Sequence, residues 1–335
     1  MKLDVIEKVN LTLLPTPLDN APNLASHIGL KKLLIKRDDC TNLGMGGNKV
    51  RKLEYIMADA LKKKATCVLT DGGVQSNHAR LTAAASRKLG IPKCLLVIGG
   101  DEFERFDGNL LLDIVLGAEI VFMKGAKVSA MEKRMAEIAE ELKSNGEVPY
   151  IIPIGGSMTL GVLGYVSAMK ELSEQLGDEK DVQIVVAVGS TGTFAGCALG
   201  IRLFMPQAKL IGISVARKSK PLLASAAKLA NETAMLIESN ETFTPDELYI
   251  NDEYYGSFYG VPSEAGNNAI MLSAQTEGLI LDPVYTGKAM SGLIALAERN
   301  QLEKDKTTIF IHTGGAPGLM AFEHVFRDKA IIKYE

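Results

Sequence analysis

Short apolar strands alternating with helical stretches along 335 residues predict an α/β protein of two open, twisted, mostly parallel sheets. Three observations carry this expectation. The apolar runs are short and end in glycine or polar turns, the segments between them are long enough for helices, and the chain exceeds the ~100–200 residues of one domain. Strands are expected at 33–36, 66–70, 93–98 and 119–122. A helix over 79–89 follows the second of these. Over 127–143 the residues Val128, Met131, Met135, Ile138, Ala139 and Leu142 recur mostly at three- and four-residue steps, the stripe of a one-faced helix turned to a core. A second set comprises strands at 183–188, 209–214 and 308–311 and helices near 160–174, 193–204, 263–276 and 287–299. Strands separated by helices read as βαβ units, so each set forms one α/β domain.

No linker, repeat or low-complexity stretch marks a boundary, and many glycines stand at strand ends, where turns are needed. Pattern alone places the boundary near Gly155-Gly156-Ser157. Residues 51–157 then form a smaller α/β domain, and 1–50 plus 158–335 a larger one.

Composition narrows the function. Apolar residues make up 47% and charged residues 23%, the balance of a soluble globular chain. Net charge is 37 − 40 = −3, which leaves no broad basic field for nucleic acid or an acidic membrane surface. The four cysteines show no C-x-x-C spacing, and Cys67 and Cys94 lie inside apolar runs, so neither a disulfide framework nor a metal site is implied. Residues 1–17 lack a signal-peptide pattern and no apolar run approaches the ~18 residues of a membrane span, so a cytoplasmic location is expected.

The most informative stretch is Gly44-Met45-Gly46-Gly47-Asn48-Lys49-Val50-Arg51-Lys52, which delivers Lys49 from a glycine turn into a helix start. Glycines let a flat ligand approach the main chain, and a helix N-terminus offers free N–H groups. An anionic, aldehyde-bearing cofactor fits there, with Lys49 able to condense with the aldehyde. A second cluster, Gly189-Ser190-Thr191-Gly192-Thr193, follows an apolar strand and opens a helix, so its N–H groups and hydroxyls can converge on a phosphate. Gln75-Ser76-Asn77-His78 occupies the carboxyl end of another strand, the edge where open α/β sheets bind ligands, although Ser76 or Asn77 serves equally as a helix cap. Two further clusters are Asp282-Pro283-Val284-Tyr285-Thr286-Gly287-Lys288 and His312-Thr313-Gly314-Gly315. Tyr259, in Tyr259-Gly260-Val261-Pro262, is equally readable as packed or catalytic.

Taken together these motifs resemble the D-cysteine desulfhydrase and 1-aminocyclopropane-1-carboxylate (ACC) deaminase family, over nearly the whole chain. The resemblance implies pyridoxal 5'-phosphate enzymes of fold type II, the tryptophan-synthase-β type, with the cofactor in the cleft between the two domains. It implies that Lys49 binds the cofactor aldehyde as an imine, that Asn77 supports the ring hydroxyl, and that Lys52 with Gly189, Ser190, Thr191, Gly192 and Thr193 holds the phosphate. Thr313 would face the cofactor ring. Ser76, Asn77, His78 and Thr286 would meet a small amino-acid substrate, with Tyr259 and Tyr285 facing the reacting carbon. No metal is expected, and relatives of this type imply a homodimer.

The chemistry agrees with these roles. Lys49 is a candidate base for the substrate Cα proton, and Ser76 or Tyr285 a candidate proton relay. Elimination of a Cβ thiol would give sulfide, pyruvate and ammonia. ACC deaminases carry a glutamate and a leucine where this chain has Thr286 and Thr313, which favours a D-cysteine desulfhydrase over an ACC deaminase. L-cysteate sulfo-lyases share the motifs and remain an alternative. Leu81 stands where many desulfhydrases have glutamine.

Overall fold

A computed structural model of the protein describes residues 1–101, 105–329 and 331. In chain order the elements begin with β1 (Leu18–Asn20), α1 (Pro22–His27), β2 (Leu33–Lys36) and α2 (Lys49–Lys62). Next come β3 (Cys67–Gly73), α3 (Asn77–Lys88), β4 (Lys93–Gly100), α4 (Gly108–Val115), β5 (Glu119–Lys124), α5 (Val128–Ser144) and β6 (Pro149–Ile152). They are followed by α6 (Thr159–Leu176), β7 (Gln183–Val188), α7 (Gly192–Phe204), β8 (Lys209–Ser214), α8 (Ser219–Leu236) and β9 (Ile250–Asn251). Then come α9 (Glu264–Glu277), α10 (Thr286–Glu298) and β10 (Thr308–Ile311), followed by the short helices α11 (Ala316–Leu319) and α12 (Glu323–Phe326).

These strands form two sheets, in the orders β1-β2-β10-β7-β8-β9 and β5-β4-β3-β6. All pairings are parallel except the edge pair β1 with β2. β10 lies inside the larger sheet, with Phe310 opposite Ile35 on one side and Val185 on the other. The expected α/β class with two mostly parallel sheets is the observed one.

Alternation along β7 explains why this sheet is covered on both faces. Ile184, Val186 and Val188 join a core with Phe194, Tyr165 and Leu172, whereas Val185 and Ala187 join another with Met290, Leu293 and Phe310. Each fully buried valine or isoleucine contributes roughly 1.5–3 kcal/mol through removal from water. The small sheet is covered likewise: Cys67 and Leu69 pack with Met131, Met135 and Ile138 of α5, the stripe expected from its spacing. Cys67, Cys94 and Cys197 are buried and all four cysteines are free.

Two features tie α2, and so Lys49, to α6 and to the end of β2 in the larger sheet. Gly164 lets α6 press on it, since a Cβ there would lie 2.4 Å from the Arg51 carbonyl oxygen. Arg51, buried, also pairs with Asp38 and Glu171 at 2.8 Å each, and Glu171 in turn pairs with Lys36 at 2.5 Å. Tyr165 donates its hydroxyl to Asp38 at 2.5 Å. This balanced set of two cations and two carboxylates ties α2 to the end of β2 and to α6. Buried charges are tolerable only when paired in this way.

Candidate active site

The carboxyl ends of β3, β4, β6, β7, β8 and β10 border one cavity of about 1010 Å³ between the sheets. Among the site residues expected from sequence, Lys49, Ser76, Asn77, His78, Gly189, Ser190, Thr191, Thr193, Tyr259, Tyr285 and Thr313 line it. They come from segments more than 200 residues apart in sequence, brought together because parallel strands all end on one edge.

The glycine turn before α2 is fixed by its backbone. Gly46 and Gly47 have φ of 71° and 132°, and a Cβ at Gly46 would lie 1.9 Å from the Asp39 carbonyl oxygen. Thr41 Oγ1 accepts from the Gly47 N–H at 2.8 Å. Lys49 then opens α2, its Nζ donating to Asn48 Oδ1 at 3.0 Å while Asn48 Nδ2 donates to Thr193 Oγ1 at 3.0 Å. Burial pulls the Lys49 ammonium down to about 8, against the opposing pull of the Asp282 carboxylate. A lysine so poised holds a usable fraction of free amine near neutral pH.

One turn further on, Lys52 is buried, its Nζ donating to the Gly155 carbonyl at 2.9 Å. Among the described residues no carboxylate pairs with it, and burial, then the Lys49 charge, holds its pKa well below the ordinary range. A Cβ on Gly192 would lie 2.8 Å from Lys52 Nζ and 2.9 Å from Ser157 Oγ. Thr191 adopts φ 69° at the start of α7, Ser157 donates to Ser190 Oγ at 2.9 Å, and the hydroxyls of Thr191 and Ser225 are 3.0 Å apart. The result is a glycine-floored cup of hydroxyls, beside a helix N-terminus and above a lysine amine that no carboxylate pairs with among the described residues. That donor set fits a phosphate. Lys52 and Gly192 lie beneath the cavity wall rather than on it.

The other side is the start of α3. Ser76 caps the helix, its Oγ accepting from Ala79 N–H at 3.2 Å, so the capping reading of Ser76 holds alongside its place on the cavity wall. Thr70 donates to the Ile152 carbonyl at 2.8 Å, which makes His78 Nε2, 2.9 Å from the same hydroxyl, the donor to Thr70. Burial, then the Lys49 and Lys52 charges, hold the His78 pKa well below the ordinary range, so the ring is neutral and its one proton sits on Nε2.

Tyr259 and Tyr285 share a short hydroxyl–hydroxyl hydrogen bond, with ring centroids 5.8 Å apart at 67°. Burial raises both phenols, Tyr285 well above the usual range, so both keep their protons at neutral pH.

Thr286 differs from expectation. It is fully buried, accepts from Asp282 N–H at 2.8 Å and donates to Asp282 Oδ1 at 2.7 Å, and it is absent from the cavity wall. Its hydroxyl is consumed by Asp282 in the turn that leads into α10. Sequence reasoning overlooked three other residues. Asp282 takes the N–H groups of Val284, Tyr285 and Thr286, placing Tyr285, and is the carboxylate that acts on Lys49. Thr70 sets the His78 proton, and Arg80 lies behind Asn77. Leu81 packs beneath the glycine turn, its Cδ1 3.3 Å from where a Gly47 Cβ would stand, so its departure from the desulfhydrase pattern lies off the cavity.

The family model described as pyridoxal-phosphate dependent enzyme matches residues 9–314. The chain is 42% identical over 314 residues to the D-cysteine desulfhydrase of Klebsiella pneumoniae subsp. pneumoniae, covering 92% of this chain and 94% of that one. It is 39% identical over 327 residues to the D-cysteine desulfhydrase of Yersinia enterocolitica, covering 96% and 97%. A crystal structure of an ACC deaminase homologue superimposes with a TM-score of 0.91 at 39% identity, covering 98% of each chain.

Proposed function

The chain belongs to the pyridoxal-phosphate-dependent enzyme family, and on that premise we propose that it is a D-cysteine desulfhydrase, converting D-cysteine and water to pyruvate, hydrogen sulfide and ammonia. The observation that carries this reading is the scarcity of carboxylates on the lining of the cavity that holds Lys49. Among the described lining residues the only carboxylates are Glu132 and Glu232, both exposed at the solvent end. Opening an unactivated cyclopropane calls for a carboxylate-assisted electron sink; expelling a thiol from Cβ does not. Relatives at 39–42% identity with this activity support the same reading.

Each residue then has a task. Lys52, Ser190, Thr191, Gly192 and Thr193 hold the cofactor phosphate, Asn77 faces the ring hydroxyl, and Thr313 offers a hydroxyl to the ring. When bound, pyridoxal phosphate withdraws electrons from the Cα–H bond of the amino acid attached to it. Lys49 Nζ takes the Cα proton, which its lowered pKa allows. The Tyr259–Tyr285 hydroxyl pair holds a proton for the departing sulfur, and Ser76 with His78 meets the substrate. Residues 51–157 act as the smaller domain, and 1–50 with 158–335 as the larger, cofactor-holding one. Among the described residues no helix is long and apolar enough to cross a membrane, and we take the enzyme to work in the cytoplasm as a homodimer.

The test is a panel of D- and L-cysteine, D-serine, L-cysteate and ACC given to purified, yellow holoenzyme and scored for keto acid and sulfide. Pyruvate with sulfide from D-cysteine is the expected outcome. Turnover of cysteate or ACC with D-cysteine left untouched would refute the substrate assignment, and borohydride reduction with peptide mapping that left Lys49 unlabelled would refute the site.

A further inference from the structure

Asn77 Oδ1 accepts two hydrogen bonds, from Arg80 Nη2 at 3.2 Å and from Asn109 Nδ2 at 3.1 Å. An amide whose oxygen is engaged by two donors is fixed in one orientation, with its NH2 group left for whatever the cavity holds. Asn77 can thus only donate to a ligand. A bound oxygen opposite it must be an acceptor, and an anionic one is held best.

The orientation is set by a buried guanidinium with few degrees of freedom. Arg80 is wholly buried; its Nε donates to Asn109 Oδ1 at 2.6 Å, Nη1 to the Gly44 carbonyl, and Nη2 also to the Gly46 carbonyl at 3.0 Å. Every one of these acceptors is neutral. The same planar group therefore joins the Asn77 amide to the glycine turn that delivers Lys49, two parts of the site that come from different stretches of chain. No ion pair neutralises it among the described residues. Asp113, the carboxyl that acts on it, has both oxygens without hydrogen-bond partners and is lifted by burial to about 8, so at neutral pH it is mostly uncharged. Burial brings Arg80 itself down only to about 10, so it stays charged.

We infer that Arg80 is a positioning residue for the cofactor: it locks the Asn77 amide with its N–H groups toward the ring hydroxyl, lends positive charge to that hydroxyl as its anion, and keeps Asn77 in register with the Lys49 turn. The inference rests on the proposed role of Asn77, and the experiment separates the two.

The full-length chain, stripped of cofactor, is titrated with pyridoxal phosphate and with its 3-deoxy analogue, which lacks the ring hydroxyl, and dissociation constants are read from visible absorption. Arg80→Met and Arg80→Lys are compared with Asn77→Ala, and thermal unfolding reports on folding. Arg80→Met is expected to weaken pyridoxal phosphate about tenfold or more, the scale of a charge-assisted hydrogen bond, and the analogue much less. Arg80→Lys, which keeps the charge without the fork, is expected to fall between. Should Asn77→Ala favour the analogue while both Arg80 variants weaken the two ligands equally, Arg80 is only a structural support and the inference is overturned. Should Asn77→Ala itself fail to discriminate, the assignment of Asn77 falls, and the role of Arg80 toward the hydroxyl with it. Asn109→Ala removes one of the two donors to Asn77 Oδ1 and tests the same relay should Arg80→Met not fold. Equal weakening of both ligands in that variant counts against the relay, and selective loss of pyridoxal phosphate supports it.

Discussion

Lys49 is the residue on which the chemistry turns, and its environment sets how it meets the cofactor. With its pKa at about 8, the free amine amounts to about one-tenth of the population at pH 7 and dominates above pH 8. The nucleophile is the unprotonated form. Cofactor capture by the stripped protein should therefore speed up about tenfold per unit as pH rises toward 8 and level off above it. Stopped-flow absorbance measures this, and a flat profile between pH 6 and 8 would contradict the burial assigned to Lys49. The lysine was legible in sequence because glycines precede it and a helix follows. Its electrostatic partner Asp282 was not, because a loop 230 or so residues away gives no local sign of where its carboxylate will point.

At the scale of elements, β7, β8 and β10 could be read to the residue, since each carries a short apolar run with polar residues or turns at its ends; β7 and β10 are buried along their whole length and β8 from Ile211 on. The edge strands β1 and β9 could not. They span three residues and two, too short for any periodicity to register. Helix α8 also escaped, because Pro221 in its first turn resembles a break although proline is tolerated there. The turn into α7 carries the clearest prediction. Gly192 has no positive φ, so its backbone accepts alanine, yet the added methyl group would crowd Lys52 Nζ and Ser157 Oγ. Gly192→Ala should fold normally by circular dichroism and lose at least about tenfold in cofactor affinity, the scale of a lost charge-assisted phosphate contact, as measured by equilibrium dialysis. Undiminished affinity would show that the phosphate lies elsewhere.

Across the whole molecule, the Lys36–Asp38–Arg51–Glu171 set joins α2 to the larger sheet. Burial alone would raise both carboxyls, but Arg51 and Lys36 outweigh it and hold them below their ordinary range. A carboxyl depressed in the folded state lends stability above its unfolded pKa of about 4 and loses that contribution as pH falls through the folded value. Acidification below about pH 4 should thus destabilise the protein. Arg51→Met, which leaves buried Asp38 without its ion-pair partner and Glu171 with Lys36 alone, should cost about 3–5 kcal/mol at neutral pH and flatten the acid dependence, as followed by urea denaturation over a pH series. Sequence foresaw the fold class because alternation and glycine punctuation are local, whereas this set joins residues more than 100 positions apart and left no pattern to read. The phosphate cup draws on the turns at 155–157 and 189–193, which follow β6 of the smaller sheet and β7 of the larger one, while Ser76 and His78 stand at the start of α3, after β3. On the proposed assignment, the grip on the vitamin's phosphate and the choice of which bond to cut are inherited through separate stretches of chain, so substrate preference can drift by substitution at Ser76 and His78 while Asn77 between them stays with the coenzyme.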